Sequence, residues 1–292
     1  MRLWVLDDIG GWGKALALAA NRPGWSVQLG GKLPYDPCHA FLRINQGGVR
    51  MDQEKALLRQ LVSKDFKTIP SLEDGEMYEN KLAQTIAYGA FMPRTHVIRG
   101  PELAHSYVGN LGYPFLSKSS TGSASCNVRL IKDAASARRE IAEVFGDYGM
   151  KAPHRLGEQL QRDYLIWQEF LPGNAYDYRV CKIGRPLMIL RRGNRDDLPF
   201  ASGSGKTEAI VELDAETKAV YDASAEFFHH TGTNWCGIDL VKDLQGKWKV
   251  LETTIGWSQK AYANCTFFGP TKRKGAEIFD LTCDELEAGV WG

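Results

Sequence analysis

The sequence predicts an α/β chain whose later lobes have α+β character, and three features predict it. RLWVLDD, residues 2–8, reads as a short buried strand that passes through a glycine-rich turn (Gly10, Gly11, Gly13) into a helix over KALALAAN. Further on, YPFLSKSS, a small-residue run and VRLIK lead into a helix over DAASARREIAEVFG, the order strand, loop, strand, helix. Beyond residue 175, YDYRVCKIG with RPLMILRRG, and CGIDLVKD with KWKVLETT, read as two antiparallel hairpins turning near Gly184 and Gly246.

A length of 292 residues leaves room for several lobes sharing apolar interfaces. Composition shifts divide the chain into an N-terminal α/β unit over 1–76, a small central unit over 77–168 and a C-terminal antiparallel-sheet unit over 169–292. Thirty-six basic and 35 acidic side chains leave a formal net charge of +1. That balance gives no general footprint for nucleic acid or an anionic membrane, so any polyanion must be met locally. MRLWVLDDIGGWG has neither a signal-peptide core nor a transit-peptide pattern, and no apolar run approaches the roughly 20 residues that span a bilayer. Six cysteines are scattered without a C-x-x-C pair, which speaks against a zinc or redox motif and fits a cytoplasmic chain with reduced thiols.

In order along the chain, WSVQLG and HAFLRIN are further strands of the first unit, and MDQEKALLRQLVSK has helical periodicity. A helix from Tyr78 carries Asn80 and Lys81, and THVI is a short strand after Pro93 and Thr95. The small-residue run SSTGSASCN between two strands suggests a lid over a phosphate. Residues 151–162 read as a polar stretch, and 194–206 as irregular. ETKAVYDASAEFFHHTG reads as a helix with Ala219, Ala223, Phe227 and Phe228 on one face.

The chemistry concentrates in the last hairpin. Asp239 and Glu252 are thirteen apart (252 minus 239), so a turn near Gly246 sets them on adjacent strands. Two neighbouring carboxylates repel unless a cation joins them, and magnesium is commonly held by one or two carboxylates plus substrate phosphates. A plain structural role, Asp239 following a core strand and Glu252 capping an edge, fits the two residues equally well on their own. Lys118 ends an apolar strand just before the Gly/Ser loop, where an ammonium and backbone N–H groups both reach phosphate oxygens. IWQEFLPG runs an apolar strand into Gln168, Glu169, Phe170 and Leu171, whose backbone can read an adenine edge while Phe170 and Leu171 cover its face. A lobe linker has the same pattern.

Over about residues 78 to 258 this order resembles the ATP-grasp superfamily, specifically the glutathione synthetase-like carboxylate–amine ligases that include ribosomal-protein glutamate ligases. The resemblance rests on Asn80-Lys81, Pro93-x-Thr95, YPFLSK with its small-residue loop, QEFLPG followed by DYR, GIDL, and LET. It implies an ATP-grasp fold with ATP between the last two units and an amide-forming ligase working through an acyl phosphate. It implies that Lys81 and Lys118 bind ATP phosphates, that Gln168, Glu169 and Leu171 contact adenine, and that Asp177 holds the ribose hydroxyls. Arg179 and Arg192 would stand near the reacting carboxyl or transferred phosphate, and Asp239 and Glu252 would hold Mg2+ or Mn2+. Thr254 replaces the family's usual asparagine at the metal site, and Phe200-Ala201-Ser202-Gly203 departs from its substrate-side run, with Lys206 a substitute cation.

The implied partners are small-molecule or peptide carboxylates and amines, and a homo-oligomer is an expected state. An ATP-grasp kinase and a nucleotide-binding module without turnover remain as alternatives. Gly205-Lys206-Thr207 is not the end of a P-loop, because the motif needs glycine where Phe200 stands. His229 and His230 read as the exposed end of a helix, and Trp235 and Trp257 as packing residues. Arg43, Asn45 and Gly47-Gly48 are the N-terminal candidates for substrate selection.

Overall fold

The computed structural model describes residues 1–8, 10–122, 127–154, 157–196, 202–270 and 272–291, with the backbone alone at 152–154, 157–159 and 202–205. The first unit is a parallel sheet in the order Ser26–Leu29, Arg2–Val5, His39–Phe41, Lys67–Ile69. Its inner strands read as uninterrupted apolar runs because a parallel sheet is covered on both faces. Leu3, Trp4, Val5, Ala40 and Phe41 are accordingly buried.

A second, antiparallel sheet runs Thr95–Ile98, Leu165–Glu169, Phe115–Lys118, Val128–Ile131. Helices Pro101–Val108 and Ala134–Val144 cover one face, where Phe115 and Trp167 join Ala104, Val108, Ala137 and Ile141 in a common core. Asp133 caps the second helix, accepting from the Ser136 N–H at 2.7 Å. Because side chains alternate, Leu116 and Lys118 point to the other face. Across the stretch 151–162, read as polar, strands Met150–His154 and Gly157–Gln161 instead pair antiparallel. Its paired strands carry no sustained apolar alternation by which they could be recognised.

The third sheet is antiparallel, in the order Trp248–Thr254, Trp235–Lys242, Tyr176–Ile183, Leu187–Asn194, Thr266–Phe268, Arg273–Lys274, with Ser202–Ala209 also paired to Leu187–Asn194. Part of the expected irregular segment 194–206 is therefore strand. Gly184 turns the central hairpin at φ 62°, a conformation that favours glycine. On one face the helix Ala215–Thr231 packs against Tyr178, Val180, Ile189, Ile238 and Leu240. Its buried stripe is Thr217, Val220, Ser224, Phe227 and Phe228, whereas Ala219 is exposed, so the expected face was rotated by about one position.

The opposite face of this sheet has two fates. Ile183, Cys181, Met188, Leu190 and Trp235 enter one continuous core with the first sheet, in which Trp12, Phe41, Trp235 and Trp257 meet edge-on or stacked. Two residues further along the same strands, Arg179, Asp177 and Asp239 leave that core and become the floor of a cleft. Two elements cross between units. Helix Lys81–Tyr88 leans on the third sheet, with Tyr88 against Phe227 at 5.2 Å, and helix Ile278–Glu287 returns to the first unit, where Asp284 meets Arg22 at 2.9 Å. No helix among the described residues is long and apolar enough to cross a membrane.

Candidate active site

The cleft between the three units has a volume of about 560 Å³. Its floor is set by strand register. Asp239 lies directly across from Glu252 on one side and from Arg179 on the other, and Asp177 lies across from Arg192. A bulge after Asp239 shifts the register so that Val250 faces Leu240, leaving Leu251 as the extra residue.

These side chains form a chain of alternating charge. Arg192 grips Asp177 through Nε–Oδ1 at 2.7 Å and a second nitrogen to Oδ2 at 2.8 Å, and also reaches Asp239 Oδ2 at 2.7 Å. Arg179 grips the same Asp239 and lies 3.8 Å from Glu252. Lys81 Nζ is 3.3 Å from Glu252 Oε2. Burial alone would raise the pKa of Asp239, but Arg179 and Arg192 outweigh it and hold the carboxyl well below the usual range.

Lys118 enters from the second sheet, buried, with Nζ donating to the Leu251 carbonyl at 3.3 Å. Burial lowers its pKa to about 8, an effect that Glu252 opposes and Lys81 reinforces. Lys81, just after its helix N-cap Asn80, donates to the Gly122 carbonyl at 2.6 Å. The cleft thus brings together Lys81, Lys118, Asp177, Arg179, Arg192, Asp239, Glu252 and Thr254. A smaller hollow of about 50 Å³, lined by Glu169, Phe170 and Leu171, shares Leu116, Asp177 and Leu251 with it.

Three residues are placed otherwise than the sequence suggests. Gln168 lines neither space; its Nε2 donates to Thr95 Oγ1 at 2.9 Å. Lys206 is exposed, 2.6 Å from Asp196 and outside the cleft lining. Thr254 lines the cleft but spends its hydroxyl on its own turn, donating to the Gly256 carbonyl at 2.9 Å. Residues 123–126 of the small-residue loop, and Phe200 with Ala201, lie outside the described residues. His229 and His230 are exposed, and Trp235 and Trp257 are buried.

Sequence reasoning missed two cleft residues. Glu79 accepts from Gln46 Nε2 at 2.8 Å and from the Gly122 N–H at 2.7 Å, tying the first unit to the loop of the second. Its adjacency to Asn80-Lys81 was the available signal. Gln84, one turn beyond Lys81, brackets Thr253, accepting from its N–H at 2.9 Å and donating to its carbonyl at 3.2 Å. A lone glutamine on an amphipathic helix carries no such signal.

The donor set suits a magnesium ion bridging to phosphates. Asp239 and Glu252 supply two carboxylates, and the guanidinium contacts, two of them on Asp239 Oδ2, leave a lone pair on Asp239 Oδ1 and those of Glu252 for the metal. No cluster of three or more His, Cys, Asp or Glu among the described residues would hold a metal by protein ligands alone.

No family model matches the chain, and no curated protein does. Solved structures do. The RimK domain ATP-grasp protein of Sphaerobacter thermophilus is 17% identical, with 98% of this chain and 99% of that one covered at a TM-score of 0.65. The D-cycloserine synthetase DcsG is 14% identical, with coverage of 99% and 100% and a TM-score of 0.61. The macrocyclase MdnC of Microcystis aeruginosa, bound with the precursor peptide MdnA, is 11% identical, with coverage of 97% and 99% and a TM-score of 0.60. The three-sheet architecture and these end-to-end superpositions agree: the chain has the ATP-grasp fold.

Proposed function

We propose that the protein is an ATP-dependent carboxylate–amine ligase that activates a substrate carboxylate as an acyl phosphate and passes the acyl group to an amine. The observation that carries this reading is the in-register pair Asp239 and Glu252, facing a cleft that Lys81 and Lys118 also line. Carboxylates for a divalent ion from the third sheet meet there with ammonium groups for phosphates from the second sheet and from the helix Lys81–Tyr88. A volume of about 560 Å³ suits a nucleotide-sized ligand. The similar ligase PsnB, 16% identical at a TM-score of 0.59, has been solved with a minimal precursor, Mg and ADP.

In this reading Asp239 and Glu252 hold Mg2+ or Mn2+, which supplies charge neutralisation at the phosphates. Lys81 and Lys118 bind phosphate oxygens, and adenine lies where the cleft opens toward the hollow beside Glu169, Phe170 and Leu171, with Asp177 at its ribose end. Arg192 already holds Asp177, so ribose hydroxyls use the lone pairs that Arg192 leaves. Arg179 and Arg192 place guanidinium charge where the carboxylate meets the transferred phosphoryl group, and preorganised charge of this kind supplies much of the rate in phosphoryl transfer. The carboxylate oxygen attacks the γ-phosphorus, ADP leaves, and the amine then displaces phosphate from the acyl carbon.

The test is ADP release screened against amino acids, short peptides and amines, with products read by mass spectrometry. An amide plus phosphate is the expected result. A stable phosphorylated product would make the protein a kinase, and nucleotide binding without ADP formation would make it a binding module.

A further inference from the structure

We propose that Arg43 clasps a second, non-reacting carboxylate, so that one of the two substrates is a small molecule with a free acid group besides the groups that react. This rests on reading the cleft as the ligation site. The residue belongs to the first unit and lines the same cleft as Arg179 and Arg192.

Its seat is built. Asp8, with a fully buried side chain, accepts from the Gly10 N–H at 2.9 Å and the Gly13 N–H at 2.7 Å, and the Arg43 guanidinium stands 3.5 Å from Asp8 Oδ2. The guanidinium also lies over the Trp12 ring, 5.0 Å from its centroid. A Cβ at position 10 would collide with that guanidinium and push it aside, so Gly10 leaves open the space the side chain occupies. Ion pair and ring together set the direction in which the side chain projects.

Its hydrogen-bonding capacity is nevertheless unspent. Guanidinium carries five N–H donors. Arg179 and Arg192 each commit at least two of theirs to Asp239 or Asp177, and Lys81 and Lys118 each commit one to the Gly122 or Leu251 carbonyl. Among the described residues Arg43 donates no hydrogen bond, and its side chain retains 27% exposure. An arginine kept only for packing would bury its plane and satisfy its donors. One held rigid at a cleft wall with its fork open fits a planar carboxylate bidentately. Tyr78, whose phenol feels the charge of both Arg43 and Arg179, lines the cleft as well.

The carboxylate can belong to the amine substrate, as in an α-amino acid, or to the acyl substrate, as in a dicarboxylate. Calorimetric titration of the full chain, with and without Mg-ADP, separates these sources. The probes are the common L-amino acids beside their α-amides, and succinate and glutarate beside their monoamides. At least one acid is expected to bind about ten- to hundredfold tighter than its amide, the range of a charge-assisted hydrogen-bonded pair. Arg43→Gln should erase that preference and Arg43→Lys restore part of it, with thermal midpoint and tryptophan circular dichroism confirming the fold. Equal binding of every acid and amide, no binding of any acid, or an undiminished preference in Arg43→Gln overturns the proposal. Failure of Mg-ADP to bind the wild-type chain sinks the nucleotide reading instead and leaves the comparison made without nucleotide standing.

Discussion

Arg179 holds Asp239 by two parallel hydrogen bonds, from Nε to Oδ1 at 2.5 Å and from a terminal nitrogen to Oδ2 at 2.6 Å, while the same guanidinium lies 3.8 Å from Glu252. One guanidinium therefore reaches both carboxylates proposed to hold the metal. Asp239 is the only acid that both Arg179 and Arg192 contact among the described residues, so removing it takes from Arg179 the carboxylate it grips with two hydrogen bonds and leaves Arg192 with Asp177 alone. Asp239→Ala is expected to destabilise the protein by about 3–5 kcal/mol in urea unfolding, the cost of breaking a buried ion pair from one side. It should also abolish magnesium-dependent ADP release. A variant with wild-type stability would show that the network is solvated and weak.

The pH dependence of nucleotide binding follows from Lys118. Its pKa of about 8 means that the free protein carries this charge fully only at lower pH. Phosphate oxygens favour the ammonium, so binding raises the pKa and takes up a proton above pH 8. Affinity for Mg-ADP should be nearly level below that pH and fall by up to about tenfold per unit above it. Lys118→Arg stays charged throughout and should lose this dependence. The same fall with pH in Lys118→Arg would place the titrating group elsewhere.

Gln84 supports the strand that carries Glu252. Its amide spans the Thr253 N–H and carbonyl and also donates to the Met77 carbonyl at 2.8 Å, acting as one residue of an added strand. Gln84→Leu leaves buried backbone groups unpaired, and a loss of about 2–4 kcal/mol is expected in denaturant unfolding. Apparent magnesium affinity in the ADP complex should weaken with it, since Glu252 is the neighbouring residue. Unchanged magnesium dependence alongside the stability loss would confine Gln84 to folding.

Much of this arrangement was legible because strand geometry converts spacing into proximity. A glycine turn between two apolar strands is enough to set Asp239 against Glu252, and alternation after Phe115 is enough to aim Lys118 away from its helices. Some of what escaped was within reach of the same logic. Asp177 and Arg192 lie fifteen apart (192 minus 177) across the hairpin at Gly184, yet each was read only in its own role, and that they hold one another came from the register. Glu79 escaped for a different reason, since its partners are remote in sequence: Gln46 comes from the first unit and Gly122 from the loop beyond Lys118. The helix Ile278–Glu287 makes its contacts with Arg22 and Trp25, at the far end of the sequence.

Asp74 makes a prediction about stability that is independent of nucleotide. It is buried at the start of the short helix Leu72–Met77, where its Oδ2 accepts from the Ser71 hydroxyl at 2.8 Å. Burial raises its pKa from 3.8 to about 7, against the pull of Ser71 and Lys182. Between about pH 4 and 7 the native state keeps a proton that the unfolded chain has released, so this carboxyl makes stability fall as pH rises through that window. Below pH 4 both states are protonated and its penalty vanishes; above pH 7 the penalty is complete. Asp74→Asn keeps the shape and stays neutral. Its stability in urea should therefore match that of the wild type more closely near pH 4 and exceed it by a few kcal/mol near pH 8. Parallel stability curves for the two proteins from pH 4 to 8 would mean that Asp74 ionises in the native state as it does in the unfolded chain.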